Sequence, residues 1–256
     1  YFSKDFKLDA SSDTLLLEGD PDLKYLREIT ERYGAKDFLV LTFTPKEAIT
    51  SENSINNLLS LKYKIQSLDW VHSVITLLDV PLLNNSDKSL QERLVNLVTL
   101  KDENVDKERG FKEILDSPVF RNFVISEDGN TTGIIVNIKK DNVLKKLKDE
   151  KEIEKYKDKL KKKNHQNILE IRKIIKTYSG EAKIYLGGIP MIADDMMTFI
   201  KNDIVVFGVG VLLFIIATLW FVFRKLIWII VPISSCFFSV LIMTGLLGLL
   251  GWKVTV

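Results

Sequence analysis

The chain contains one cysteine, Cys236, and two histidines, His72 and His165, among its 256 residues. A single cysteine cannot form a disulfide within the chain, so cysteine usage says nothing about redox compartment. The two histidines lie on different predicted elements, whereas metal sites need several such ligands at close spacing. No Gly-x-Gly-x-x-Gly or Walker-type loop occurs. We therefore predict no metal, no cofactor, no catalytic residue and no enzyme activity.

An excess of charge of one sign is also lacking. Residues 1–200 carry 32 Lys+Arg and 33 Asp+Glu. Because nucleic-acid binders present a basic surface, this balance excludes nucleic acid as a partner. The lysine-rich stretch 139–163 could bind anionic lipid. We favour a solvated helix face, which is what most charge runs form.

Long apolar runs are present, and they dominate the interpretation. Ile204–Phe223 and Leu226–Trp252 contain no Asp, Glu, His, Lys or Arg, and only Arg224 and Lys225 separate them. About 20 helical residues at about 1.5 Å rise cross the hydrocarbon core, so each run can span a bilayer. The two cations must lie at a turn in water or among headgroups. The sequence predicts a transmembrane hairpin.

The two cations also predict the orientation of the hairpin. Short loops rich in Lys and Arg stay in the cytoplasm, which places residues 1–200 outside. The chain starts at Tyr1, and no basic start followed by an apolar segment marks a signal sequence. We expect an upstream membrane helix, and further helices after Val256. The predicted domains are 1–200, outside the membrane, and 201–256, with spans at about 202–223 and 226–251.

The outer domain shows alternating strand and helix patterns. Apolar and β-favouring residues predict strands, while apolar residues near a 3.6 period predict helices. The Asp-Gly pair within residues 127–130 is a strong hairpin signal. The strand–helix–strand order, repeated once, is the split βαβ pattern of ferredoxin-like domains. The predicted helices are Pro21–Tyr33, Ser51–Leu68 and Leu144–Tyr178 (broken near Asn164), and the predicted strands are Asp37–Thr44, Val71–Leu78, Phe120–Ser126, Thr131–Lys139 and Lys183–Gly187.

Residues 79–118 interrupt that pattern and are predicted to be an insertion. The insertion is expected to hold one helix, followed by the polar stretch Lys101–Gly110. The apolar face of that helix would carry Leu90, Leu94, Leu97 and Val98.

Asp194 and Asp195 form the one adjacent carboxylate pair close to the predicted membrane. They could be an acid–base pair or an ion site. Neighbours on a helix point about 100° apart, however, and seldom share a ligand. We favour two polar residues that anchor the first membrane helix at the outer interface.

Small residues recur along the second apolar run, which suggests helix packing. Small side chains let membrane helices approach closely, and Pro232 can kink that helix or lie in its first turns. Ordinary packing in a multi-helix bundle is favoured over a substrate groove. The packing candidates are Arg224, Pro232, Gly245, Gly248 and Gly251.

Taken together, these features resemble the resistance-nodulation-division (RND) superfamily. The segment Phe120–Thr132 resembles the porter-domain hairpin of its MMPL-like, hopanoid-transporter-like branch. The other features that resemble the superfamily, in chain order, are Ile184-Tyr185-Leu186-Gly187-Gly188-Ile189-Pro190, the pair Asp194-Asp195, Phe223-Arg224, Ile230-Val231-Pro232 and the closing Gly245–Trp252.

The resemblance implies a secondary active transporter that exports lipids or other hydrophobic compounds by proton drive. The fold would be an α+β periplasmic porter domain followed by a transmembrane hairpin in the bacterial inner membrane. The family's proton-relay carboxylates lie in later helices, so none is assigned here. The implied partners are membrane lipids, a hydrophobic substrate, further copies in a homo-oligomer and periplasmic accessory proteins. The candidate residues at the porter–membrane junction are Gly187, Gly188, Pro190, Asp194 and Asp195.

Two other classes stay open at this stage. A sensor could bind a ligand outside and signal through the hairpin, but only Arg224 and Lys225 would then face the cytoplasm. A SecD/SecF-like accessory to protein translocation shares the general membrane arrangement. The insertion at 79–118 argues weakly against it.

Overall fold

The structure is a computed structural model, which describes residues 8–9, 20–33, 37–83, 97–102, 104–141, 143, 147, 149–250 and 254–255. It is an α+β chain with a four-stranded antiparallel sheet and two long apolar helices. A 3₁₀ helix spans Leu77–Asp79. The elements are β1 (Leu8–Asp9), α1 (Pro21–Tyr33), β2 (Phe38–Pro45), α2 (Glu52–Gln66), β3 (Val71–Ile75), α3 (Lys107–Asp116), β4 (Thr132–Ile138), α4 (Glu150–Thr177), β5 (Ala182–Gly187), α5 (Ile189–Phe223), α6 (Ile227–Leu250) and β6 (Val254–Thr255).

The chain forms two compact units, residues 35–194 and residues 1–34 with 195–256. The second unit holds α1, most of α5, α6 and the short parallel pair β1–β6, in which Leu8 pairs with Val254. The predicted domain limits at residue 200 stay a prediction.

The sheet of the 35–194 unit has the strand order β3-β4-β2-β5, and every neighbouring pair is antiparallel. In the central pair, Val40 lies opposite Ile135. On the other side of β2, Thr42 lies opposite Tyr185. Strand β4 therefore lies between β2 and β3, which are consecutive in the chain.

Alternation along β2 places the core on one face of the sheet. Leu39, Leu41 and Phe43 are buried, and the residues between them are only partly covered. Period-2 side chains point to opposite faces, so the buried face meets the apolar sides of α2 and α4. These helices contribute Leu58, Leu61, Ile65, Ile168 and Ile171. Burying each such side chain contributes roughly 1.5–3 kcal/mol.

Polar caps set where two helices begin. The Ser51 hydroxyl accepts a hydrogen bond from the Ser54 amide at the start of α2. Asp106 caps α3 by accepting from the amides of Glu108 and Arg109. Side chains of this kind satisfy amides that the first helical turn leaves unpaired.

Several secondary-structure predictions are wrong. The predicted strand Val71–Leu78 ends at Ile75, and a 3₁₀ helix spans Leu77–Asp79. Helix α3 occupies 107–116, where a polar stretch was expected up to Gly110. Residues 120–126 form a compact turn rather than a strand, because the Phe120 carbonyl accepts from the amides of residues 123–125. Helix α4 runs unbroken through Asn164.

The chain reversal after that turn does occur. The Ser126 amide donates to the Thr131 carbonyl, and Gly129 takes the left-handed conformation, with φ +70°. Of the helix predicted in the insertion, residues 84–96 lie outside the described residues. Val98 is not helical, since it forms a bridge with Leu82.

Candidate functional site

The junction between the sheet and the first long apolar helix is built around Gly188. Its φ is +121°, a conformation that L-residues rarely adopt. A Cβ there would lie 2.9 Å from the Phe38 carbonyl oxygen and 3.1 Å from the Leu39 Cα. A Cβ on Gly187 would meet only the Val40 carbonyl, at 3.7 Å. The backbone therefore requires glycine at 188 and not at 187.

Helix α5 begins directly after this glycine, so the helix starts well before the apolar run. Pro190 is its second residue, within the first turn, where a missing N–H costs nothing. The Pro190 carbonyl accepts a hydrogen bond of 2.8 Å from Asn164 Nδ2 on α4. This bond gives Asn164 a role inside a continuous helix, where its low helix propensity predicted a break.

One turn further along, α5 makes a second polar contact with α4. Nδ1 of His165 lies 3.0 Å from both carboxylate oxygens of Asp194. The Asp194 side chain is 9% exposed, and the His165 side chain is 45% exposed. A buried carboxylate needs such a partner, because burying it unpaired is costly.

The five junction candidates therefore differ in the contacts that they make. Gly188, Pro190 and Asp194 each have a defined contact in the 35–194 unit, and Gly187 is simply the last residue of β5. Asp195 follows Asp194 on α5 and points about 100° away from it. Asp195 belongs to the unit formed by residues 1–34 and 195–256. Their role at a membrane interface stays a prediction.

Sequence reasoning missed His165 and Asn164 as members of this cluster. They lie 29 and 26 residues from their partners, and no sequence spacing indicates a contact between α4 and α5. The cluster offers one imidazole and one carboxylate. Among the described residues, no group of three or more His, Cys, Asp or Glu could hold a metal ion. The arrangement can hold two helices together.

The connection between α5 and α6 consists of Arg224, Lys225 and Leu226. Arg224 takes the left-handed conformation, with φ +47°, and its amide donates to the Trp220 carbonyl, which closes α5. On either side of the turn, the rings of Phe223 and Trp228 stack with centroids 5.9 Å apart. Tryptophans beside a two-cation turn are typical of a membrane–water interface.

Within the part of the chain that the structure describes, two helices are long and apolar enough to cross a membrane, α5 with 35 residues and α6 with 24. Almost none of their apolar length is buried, as Phe214 and Phe221 illustrate at 71% and 78% exposure. Exposed apolar surface of this extent is unfavourable in water and is satisfied by lipid. In α5 this apolar part begins near Ile204.

The helix-packing candidates stay predictions. Pro232 is the sixth residue of α6, and the helix continues on both sides. A Cβ on Gly245 would meet nothing within 4 Å among the described residues. Gly248 is partly exposed, and Gly251 lies outside the described residues.

A second polar cluster joins α2 to the residues around the insertion. Lys62 and Lys101 both donate to Oδ1 of Asp79, and the Thr76 amide and hydroxyl donate to Oδ2 at 2.8 and 2.9 Å. Burial alone would raise the pKa of Asp79, but the hydrogen bonds from Lys101, Lys62 and Thr76 lower it to about 2. Burial also lowers the pKa of Lys62. The cluster is a structural tie.

The lysine-rich stretch continues into α4, where most of its charged side chains are exposed. Within it, the Tyr156 hydroxyl donates to Asp141 at 2.7 Å, which lowers the pKa of that carboxyl. Lys155, Lys159 and Lys162 line an open groove of about 670 Å³ together with acidic neighbours. This arrangement supports the solvated helix face.

A family model described as the MMPL family matches residues 64–255, about three quarters of the chain. The match runs from the end of α2 through β3, β4, the junction and both long apolar helices. Among curated proteins, no sequence matches the chain.

Proposed function

The chain belongs to the MMPL family, and we propose that it works in proton-driven export of lipids or other hydrophobic compounds. Members of the family are membrane transporters of the RND type rather than enzymes. The family match carries this proposal, and it favours neither a SecD/SecF-like accessory nor a sensor. The two exposed apolar helices support it, because they need a lipid environment.

We propose that the 35–194 unit is a ferredoxin-like porter domain. The strand order β3-β4-β2-β5 supports this, since β2-α2-β3 and β4-α4-β5 then form two interleaved β-α-β halves. The proposed place of this domain is the periplasm of a bacterium, with the hairpin in the inner membrane. The cationic turn at Arg224 and Lys225 supports that orientation.

The proposed role of the outer domain is to gate substrate passage. Helix α5 runs from Ile189 to Phe223 without a break, so a movement of its apolar part can reach the first turns that contact α4. The apolar runs hold no Asp, Glu, His, Lys or Arg. Proton-relay carboxylates would therefore belong to other helices of the transporter.

A linker insertion tests the gating role in the full-length protein in its membrane. A flexible Gly-Ser linker placed between Pro190 and Asn202 interrupts α5 before its apolar part. We expect export of a hydrophobic fluorescent compound to be lost while the protein stays folded in the membrane. The matched control is the same linker after Gly180, an exposed turn residue with nothing within 4 Å of its Cβ position. Export that survives the α5 linker rejects the gating role.

The substrate class is tested separately. Lipids that co-purify with the full-length protein would be identified by mass spectrometry. We expect enrichment of particular lipids over the surrounding membrane. A lipid profile equal to that of the bulk membrane would argue against lipid as the substrate.

A further inference from the structure

We propose that His165 and Asp194 form a protonation-controlled latch that holds the first turns of α5 against α4. The latch rests on the proposed function, because it would make coupling along α5 depend on the acidity outside the membrane. No other pair in the described residues joins a histidine to a carboxylate across two elements.

The exposures of the two side chains suit a switch. The carboxylate of Asp194 is 9% exposed and has both oxygens 3.0 Å from His165 Nδ1. His165 is 45% exposed and can exchange protons with water. The buried carboxylate is thus held by the imidazole, and the imidazole is the partner that water can reach.

Protonation changes the strength of this contact. A neutral imidazole can donate one hydrogen bond to the carboxylate. An imidazolium adds opposite charge, and hydrogen bonds between ionised partners are roughly twice as strong as neutral ones. Histidine side chains change charge between about pH 5 and 8. The latch should therefore tighten as the pH falls and loosen as the pH rises.

The charged residues around the latch are lysines and aspartates, so the pH response is attributed to His165. On α4, Lys161 and Lys162 precede the histidine by one turn, and on α5 Asp195 adjoins Asp194. On the neighbouring strands the charged residues are Asp37, just before β2, and Lys183 on β5. Strand β2 is the strand that contacts Gly188. Lysine and aspartate side chains ordinarily titrate outside the range of about pH 5 to 8.

The position of the latch lets it control how firmly the first turns of α5 are held. Gly188 supplies the positive-φ backbone turn at the start of α5, and the Asn164–Pro190 hydrogen bond is an anchor that does not titrate. The His165–Asp194 contact follows one turn later, on the part of α5 that precedes the apolar run. When the latch opens, the first turn of α5 keeps the Asn164–Pro190 hydrogen bond and the packing of Met191 against the core.

Hydrogen exchange in the full-length protein in lipid nanodiscs tests the latch without using transport. Exchange of the amides of residues 191–194 is measured at about pH 5.5 and about pH 8 and corrected for intrinsic rates. We expect roughly five-fold greater protection at the lower pH, as for a contact that gains charge assistance. In His165→Gln, which keeps a polar group but does not titrate, the pH difference should vanish.

The second histidine of the chain, His72, provides the matched control. It lies exposed on β3, and His72→Gln should keep the wild-type pH difference. Equal pH responses in wild type and His165→Gln would overturn the latch. So would loss of the response in His72→Gln.

An export measurement then separates the latch from the proposed function. If export changes with external pH in wild type and not in His165→Gln, the latch acts on transport. If the exchange result holds while neither protein exports, the latch stands and the proposed function fails.

Discussion

The carbonyl oxygen of Phe38 lies 2.9 Å from the position that a Cβ on Gly188 would occupy. This contact brings the start of β2 against the residue where β5 ends and α5 begins. Because the obstacle is backbone, a side chain at 188 could not be accommodated by a change of rotamer. The sheet and the start of α5 are thereby fixed to each other within the 35–194 unit.

Replacing Gly188 by alanine should destabilise this unit. The added Cβ meets backbone at 2.9 and 3.1 Å, and the φ of +121° is unfavourable for alanine. We expect a loss of about 2 kcal/mol or more, the cost typical of strained backbone positions. The opening free energy of the β2 and β5 amides, from native-state hydrogen exchange in detergent, measures it. Gly187→Ala is the control, since its Cβ would make only an ordinary 3.7 Å contact. Equal effects at the two positions would contradict this account.

Strong local periodicity explains which elements the sequence could predict. Strand β2 alternates cleanly, and its alternating residues Leu39, Leu41 and Phe43 are all buried. Helix α2 carries its apolar residues near a 3.6 period and ends within two residues of its predicted limits. In these segments one buried face dictates the structure, so pattern and packing agree.

The missed features are those in which tertiary contacts or caps outweigh local pattern. Helix α3 has few apolar residues, and its start is marked only by the Asp106 cap. Helix α5 begins at Ile189, about a dozen residues before the predicted span at 202. The charged residues before Ile204 interrupt the apolar pattern from which that span is predicted. The His165–Asp194 contact depends on how α4 meets α5, which no local pattern reports.

A second prediction concerns Thr42 on the less covered face of β2. Its hydroxyl oxygen is buried and has no hydrogen-bond partner among the described residues. Thr42→Val removes the unsatisfied hydroxyl with little change of shape. We expect the opening free energy of the β2 and β5 amides, measured by native-state hydrogen exchange, to rise by about 1 kcal/mol, as for removal of a buried unpaired polar group.

Thr44 is the matched control on the same strand and face. Its hydroxyl forms a 2.8 Å hydrogen bond with the Thr131 hydroxyl. Thr44→Val should lower the opening free energy of the same amides by about 1 kcal/mol, because it breaks that bond. A loss of stability in Thr42→Val would show that its hydroxyl is satisfied in solution.

The Asp79 cluster predicts a pH dependence of stability. The hydrogen bonds that outweigh burial hold the folded pKa at about 2, below the ordinary value of 3.8. A lowered carboxyl pKa stabilises the fold above the unfolded value, and this contribution is lost as the pH falls from about 4 towards 2. By linkage the contribution is about 2 kcal/mol.

Asp79→Asn should remove that dependence and destabilise the fold at neutral pH, since Lys62 and Lys101 lose their counter-charge. Hydrogen exchange of α2 amides between about pH 5 and 2 measures it after correction for intrinsic rates. The control is Asp69→Asn, an exposed aspartate that lies just before β3 in the chain. Identical pH slopes in wild type and Asp79→Asn would show that the cluster contributes no linkage.

The last prediction concerns the side of the membrane on which the α5–α6 turn lies. The turn carries Arg224 and Lys225, and Leu226 beside them is 65% exposed. In a cysteine-free background that includes Cys236→Ser, the variants Leu226→Cys and Ser179→Cys each offer one thiol. Short cationic loops stay in the cytoplasm, whereas Ser179 belongs to the unit proposed to lie outside. In spheroplasts, a membrane-impermeant maleimide should label the Ser179→Cys protein and should label the Leu226→Cys protein only after permeabilisation. Labelling of the Leu226 variant in intact spheroplasts would place the turn outside and would remove the basis for a periplasmic porter domain.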